Sequence, residues 1–296
     1  LGLTLEELYT RVSVEAAENE SVSGPQERRA EKYMRTMREQ FALPPVRLTI
    51  DRGIPEHVGL GSGTQLALAV GAALNELFDI GLSVRKIAAI LDRGARSGIG
   101  VGAFEHGGFL VDGGKAEDEM PPPIVSRLPF PAAWRIMLIF DTSLEGLHGA
   151  SEHEAFRSLP GFSEDLAGTL CRLTLMGVLP ALADSRLNEF GRTIAEIQAV
   201  IGDYFAPAQG GRYTSQKVGE ALRWLEEDGV KCIGQSSWGP TGFAVVDSDT
   251  AAYTLLKMLK SRREKDSPVR FMVCRARNCS AEMIVDRNVK TGAFAG

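Results

Sequence analysis

Between Ile54 and Gln65 the chain reads Ile-Pro-Glu-His-Val-Gly-Leu-Gly-Ser-Gly-Thr-Gln, with three glycines in five positions (Gly59, Gly61, Gly63) and hydroxyls at Ser62 and Thr64. Such a run fits an anion cradle at a helix N-terminus. Glycine lets backbone approach a phosphate with no Cβ in the way. The first-turn N–H groups then point at the anion, and the helix dipole favours negative charge there. The flanks supply the context. Val46 to Ile50 is an apolar, strand-like segment, and Leu66, Val70, Ala73, Leu74 and Leu77 follow at helical spacing. With no basic residue inside it, the run is not a GxxxxGK[ST] loop, nor is it the dinucleotide fingerprint GxGxxG. A flexible turn with a Ser or Thr N-cap is the plainer reading of the same residues.

At 296 residues the chain has room for one large domain or two ordinary ones. A composition of 44% hydrophobic and 24% charged residues is that of a globular protein. The net charge of −5 gives no bulk basis for binding nucleic acid or an anionic membrane. Apolar runs fall short of a membrane span and no signal-peptide pattern opens the chain, so a cytoplasmic location is expected. The start at Leu1, without Met, suggests that upstream residues are missing. The four cysteines (Cys171, Cys232, Cys274, Cys279) stand singly and read as reduced thiols.

Along the chain, strands are expected at 11–15, 47–50, 104–111, 134–140, 230–233, 243–246 and 269–274. Helices are expected at 27–40, from the glycine loop to about 78, and at 84–93, 163–176, 187–201, 215–228 and 250–263. Ala30, Tyr33, Met34 and Met37 form the inner stripe of the first helix, and Ser83 caps the third. Residues 118–131, with five prolines, read as a surface connection. A break near 150–165 divides the chain into expected domains 1–155 and 156–296. Interleaved helices and strands without regular βαβ alternation argue for an α+β fold.

Two further loops carry candidate chemistry. Gly94 to Gly108 is glycine-dense and holds Arg96, Ser97 and the pair Glu105–His106. Arg93 and Arg96 suit a bidentate clamp on phosphate or carboxylate. Glu105 and His106 suit acid–base work, although neighbours on a strand face opposite ways, so only one of them faces a given pocket. The alternatives are a solvated Glu105 and a turn-capping His106. Gln235 to Gly242 offers hydroxyls at Ser236 and Ser237, a tight turn at Gly239, and the ring of Trp238. A plain hairpin with a core Trp fits those residues too.

Together the three loops resemble the GHMP kinase superfamily, whose phosphate loop has the form P-x-x-x-G-L-G-S-S. Pro55 to Gly63 matches that form except for glycine at the last position, and Gly234 to Gly242 matches the family's third motif in place and texture. The family's first motif is not found near the N-terminus, which fits a shortened start. The resemblance implies a two-lobed fold, an N-terminal α/β lobe with a left-handed βαβ-type unit and a C-terminal ferredoxin-like α+β lobe. One departure bears on chemistry. Family kinases carry Ser-Gly-Ile-Asp, whose aspartate is the catalytic base, whereas this chain has Ser97-Gly98-Ile99-Gly100. Within the superfamily, the runs Gly59–Gln65, Arg96–Gly100 and Ala103–Gly114 resemble the β-ribofuranosylaminobenzene 5′-phosphate synthases of methanopterin biosynthesis. That resemblance implies transfer of a phosphoribosyl group from phosphoribosyl pyrophosphate to 4-aminobenzoate or a hydroxybenzoate, with loss of carbon dioxide and pyrophosphate.

Under that reading Gly59, Leu60, Gly61, Ser62, Gly63, Thr64 and Gln65 hold the donor's phosphates. They are joined by Arg93, Arg96, Ser97, Ser236, Ser237 and Gly239. Magnesium is the expected ion, with Ser62 and Asp112 as its candidate ligands and no organic cofactor. Glu105, His106 and Asp141 are the candidate catalytic groups. Two alternatives stay open: an ATP-dependent small-molecule kinase with its base elsewhere (Glu105 or Asp141), and a non-catalytic nucleotide or phosphate sensor. A homodimer is one assembly open to such a chain.

Overall fold

In a computed structural model of the chain, the described residues are 1–115, 120–146, 157, 159–237 and 239–286. Among the described residues, ten strands form three sheets. β2 (Arg11–Ala16), β3 (Ser21–Ser23) and β4 (Val46–Arg52) make the first, in the order β2-β4-β3, with β3 and β4 parallel across α1 (Glu27–Phe41). α1 turns its apolar stripe inward: Ala30, Tyr33, Met34 and Met37 are all buried, as their spacing requires. They pack with Leu48, Ile50 and the helices α2 (Ser62–Leu77) and α3 (Val84–Ile90) into one core.

The short β1 (Gly2–Leu3) pairs with β5 (Phe109–Asp112), which pairs with β6 (Ile124–Leu128). The proline-rich connection expected at 118–131 therefore contains a strand, and Phe130 beside it is a core residue at 2% exposure. Ahead of β5 lies α4 (Ile99–His106), where a glycine loop and then a strand from Phe104 were expected. Glycines normally weaken a helix. Here Gly102 lets α4 approach β6, because a β-carbon on it would stand 2.5 Å from Ile124 Cδ1.

The third sheet is fully antiparallel, with β7 (Arg135–Asp141), β8 (Cys232–Gln235), β9 (Thr241–Val246) and β10 (Val269–Cys274) in the order β10-β7-β9-β8. With helices between β7 and β8 and between β9 and β10, this is the ferredoxin-like arrangement. β7 lies ahead of the 155–156 division expected from sequence, yet it is a central strand among strands that follow that division. Its continuous apolar run is explained by two covered faces. Ile136 and Leu138 face a core with α7 (Leu187–Gln209), while Met137 and Ile139 face α8 (Gln216–Glu227) and α9 (Asp249–Arg262).

Before α7 come α5 (Glu164–Leu173), a π-helical turn (Thr174–Val178) and α6 (Leu179–Ala183). They form one helical stretch, Glu164–Ala183, that is long and apolar enough by length and composition to cross a membrane, with a mean hydropathy of 1.6. This corrects the expectation that every apolar run falls short. Leu173, Val178, Ala181 and Leu182 on this stretch are buried in the core with Phe190 and Ile194 of α7, whereas Leu175 and Met176 are exposed.

Candidate functional site

The glycine run leaves β4 and turns into α2 at Gly61, a left-handed N-cap with φ 71°. Among the described residues no side chain caps this helix. Gly61 O accepts from the backbone N–H groups of Thr64 and Gln65, both at 3.1 Å. Among the described residues the N–H groups of Ser62 and Gly63 donate to no backbone carbonyl, the arrangement that an anion cradle needs. Ser62, expected to bind phosphate or metal, is 7% exposed.

The loop between β8 and β9 closes over this turn. Ser236 Oγ donates to Gly59 O at 2.7 Å, and Gly239 N donates to Ser236 O at 3.2 Å. Gln235, at the end of β8, is fixed by bonds to Thr214 N and Ser237 O. The two loops that sequence placed in one site are therefore in contact. They line an open cleft of about 2930 Å³ with Gly59 to Gln65, Arg93, Ser97, Ser236, Ser237 and Gly239 in its wall. Trp238 lies outside the described residues.

Two guanidinium groups stand beside the cradle. Arg93, just after α3, lies over the Tyr33 ring at 5.3 Å. Arg29 of α1 is paired with Glu56 in the glycine run at 3.3 Å. Sequence reasoning missed Arg29. Its only local signal is a basic residue on the outer flank of an apolar stripe, which most surface helices share.

α4 reaches the same place from the other side. Gln65 Nε2 donates to Gly100 O at 2.7 Å, tying α2 to α4. A β-carbon on Gly100 would stand 2.8 Å from Thr64 Cγ2 and 3.1 Å from Thr64 Cβ. The position at which related kinases carry aspartate has no space here for any side chain unless Thr64 moves.

The expected catalytic groups lie elsewhere. Glu105 and His106 are on a helix, not a strand, so they do not face opposite ways as strand neighbours do; they form a loose pair at 3.9 Å, His106 half exposed, and neither lines the cleft. Asp141 is 3% exposed and accepts from Ser143 Oγ at 2.6 Å and Ser215 Oγ at 2.7 Å. Burial pushes its carboxyl up, but those hydrogen bonds and the Lys217 charge outweigh burial and hold it below the usual carboxylate range. It braces the end of β7 against α8. Asp112 Oδ2 accepts from Ser97 Oγ at 2.6 Å and Gly98 N at 3.0 Å, so it fixes the entry to α4. Arg96 is exposed and absent from the cleft wall.

These positions do not fit a resident magnesium ion. Such a site needs oxygen ligands converging on one point. Of the expected pair, Asp112 is occupied by α4 and does not reach the cleft. Among the described residues no group of three or more His, Cys, Asp or Glu side chains is placed to hold a metal.

Known proteins place the chain further. Residues 28–108 match the GHMP kinases N terminal domain, and residues 178–265 match GHMP kinases C terminal. Beta-ribofuranosylphenol 5′-phosphate synthase of Archaeoglobus fulgidus is 34% identical over 96% of this chain and 91% of its own length. The protein of that name from Methanocaldococcus jannaschii is 31% identical over 83% and 82%. Among solved structures, mevalonate diphosphate decarboxylase from Staphylococcus aureus superposes with a TM-score of 0.67 over 96% of this chain and 88% of that one, at 17% identity, which speaks for the fold alone. The chain belongs to the beta-ribofuranosylphenol 5′-phosphate synthase family, built on the fold of the GHMP kinases.

Proposed function

We propose that this chain transfers a phosphoribosyl group from phosphoribosyl pyrophosphate to the ring carbon bearing the carboxylate of a 4-hydroxy- or 4-aminobenzoate. The bond from the anomeric carbon to the pyrophosphate oxygen breaks, and its electron pair leaves with pyrophosphate. A bond forms from the ring carbon to the anomeric carbon. The carboxylate then departs as carbon dioxide, and the pair of the broken carbon–carbon bond restores the aromatic ring. Atoms and charge balance without removal of a proton.

That balance meets the single observation that carries the reading: Gly100 packed against Thr64, with no room for an acid. A kinase acting on a hydroxyl must dispose of the hydroxyl proton, and a positioned base accelerates that step. Decarboxylative substitution has no such proton. The same reasoning removes the need for Glu105, His106 or Asp141 in the cleft. What the reaction requires is stabilisation of the leaving diphosphate, which the amides of Ser62 and Gly63 and the nearby guanidinium groups supply. Magnesium then belongs to the donor as part of the substrate, bound by its phosphates. The names of the relatives favour the hydroxybenzoate over the aminobenzoate.

The test is incubation with phosphoribosyl pyrophosphate and carboxyl-labelled 4-hydroxybenzoate, with 4-aminobenzoate in parallel. The expected result is labelled carbon dioxide and pyrophosphate in equal amounts. Efficient formation of ADP from ATP and an alcohol, with no labelled gas, overturns the proposal.

A further inference from the structure

Arg29 and Gly63 are fitted to one another. A β-carbon on Gly63 would fall well inside 3.0 Å of Arg29 Nη2, and it would lie 3.8 Å from Arg93 Nη1. So two cationic side chains, one from α1 and one from just after α3, converge on Gly63 in the first turn of α2. Arg29 uses its other terminal nitrogen, Nη1, for the ion pair with Glu56, at 3.3 Å. That contact lacks hydrogen-bond alignment, and Nη1 and Arg93 Nε are both buried without a hydrogen-bond partner among the described residues. The Glu56 carboxylate is shared between Arg29 and His57, the latter at 3.5 Å, while Arg93 lies over the Tyr33 ring, and all stand beside a helix terminus that itself favours anions. The cluster is short of negative charge at the point where the Ser62 and Gly63 amides are presented.

We propose that Arg29 is a substrate-binding residue that grips the diphosphate of the donor, and that Gly63 is glycine to give it access. The proposal rests on the function proposed above for its choice of ligand. Glu56 holds one end of the guanidinium, Nη2 lies against Gly63 in the cradle, and Arg93 Nη1 comes close to the same residue. A diphosphate spans both, whereas a single phosphate spends its oxygens on the helix terminus and one arginine. Fork-shaped donors with fixed geometry suit this task better than an ammonium group.

The experiment measures binding of inorganic pyrophosphate and of ribose 5-phosphate by calorimetry to wild type, Arg29→Gln, Arg29→Lys, Gly63→Ala and the double variant Arg29→Gln/Gly63→Ala. Thermal melts check folding. The expected loss of pyrophosphate affinity in Arg29→Gln is about 10- to 100-fold, as for a charge-assisted contact, with a much smaller change for ribose 5-phosphate. Gly63→Ala should match that loss by displacing Arg29. The double variant should be no worse than either single, because both remove one interaction. Arg29→Lys should recover only part of the affinity. Unchanged pyrophosphate binding in a folded Arg29→Gln, or losses that add in the double variant, overturns the proposal. A larger loss for ribose 5-phosphate than for pyrophosphate also overturns it, assigning Arg29 to the sugar phosphate. Pyrophosphate binding is read without turnover. Arg29-dependent binding with no labelled carbon dioxide therefore defeats the reaction alone, and normal turnover with an unchanged donor KM in Arg29→Gln defeats this proposal alone.

Discussion

Gly59 and Gly239 meet backbone to backbone: a β-carbon on Gly59 would stand 2.9 Å from the Gly239 nitrogen, and Gly59 has φ +78°. Two loops separated by most of the chain thus form one wall, pinned by the Ser236–Gly59 bond. Gly239→Ala should drive them apart. Overpacking of this kind costs about 1–3 kcal/mol, and the donor KM should rise at least about tenfold as the Ser62 and Gly63 amides shift, each tenfold being about 1.4 kcal/mol. Ser236→Ala removes one hydrogen bond and should cost about 1 kcal/mol with a smaller effect on KM. Denaturant unfolding and steady-state kinetics of both variants check this. Equal stability and KM in Gly239→Ala would show that the loops do not touch in solution.

Gly100→Asp should not restore kinase chemistry. Its β-carbon meets Thr64 at 2.8 Å, so α4 must move off α2 and strain the Gln65–Gly100 bond. A loss of about 1–3 kcal/mol is expected. Thr64→Gly opens the space, so the double variant Thr64→Gly/Gly100→Asp should be less destabilised than the sum of the singles. Neither variant should form ADP. Melting curves for the four proteins measure the coupling. Additive losses would mean that the contact is absent.

What sequence made legible here follows the range of the physics. The inner stripe of α1 needs only a 3.6-residue period, and β10 spans the same residues, 269–274, that its apolar run marks. Ser83 caps α3 as read, accepting from Lys86 N at 3.3 Å. The cradle was visible because all its parts lie within one local run. α4 was not, because its glycines read as a loop; they are there for close approach, a tertiary reason that overrides helix propensity. β6 hid among prolines that sit outside the strand itself. Gly63 already stood out as a departure from the family pattern, but its reason, Arg29, lies on another helix. The buried role of Asp141 depends on Ser215, far along the chain. No sequence period reports either pairing.

The cysteines should separate into two pairs. Cys171 and Cys279 are exposed, while Cys232 and Cys274 are buried. Burial raises the Cys232 thiol well above its ordinary value, and burial together with the Glu7 charge pushes Cys274 up to about 12. The thiolate is the reactive form. At pH 8 a disulfide reagent should therefore titrate two thiols of the native protein quickly, the other two reacting only on unfolding. Fast labelling of Cys274 in a Cys171→Ser/Cys279→Ser variant would contradict the packing of β10.

Asp141 and Ser215 give stability a pH dependence of known sign. The folded carboxyl lies below its ordinary value because the bonds from Ser143 and Ser215 and the Lys217 charge outweigh burial. A depressed folded pKa contributes stability that is present above the unfolded value, about 3.9, and is lost as pH falls through the folded value. Ser215 also caps α8, accepting from Val218 N at 3.1 Å. Ser215→Ala should thus cost about 2–4 kcal/mol at pH 7, from the charged hydrogen bond and the cap together. Asp141→Asn should be destabilised at pH 7, and its deficit relative to wild type should shrink as pH falls from the unfolded value of about 3.9 through the lower folded value, because the unfolded carboxyl takes up its proton first. Because Asp141 lies outside the cleft, the pH profile of kcat should keep its shape in Asp141→Asn. A deficit that stays constant down to pH 2, or a displaced kcat profile, would return Asp141 to the chemistry from which its burial removes it.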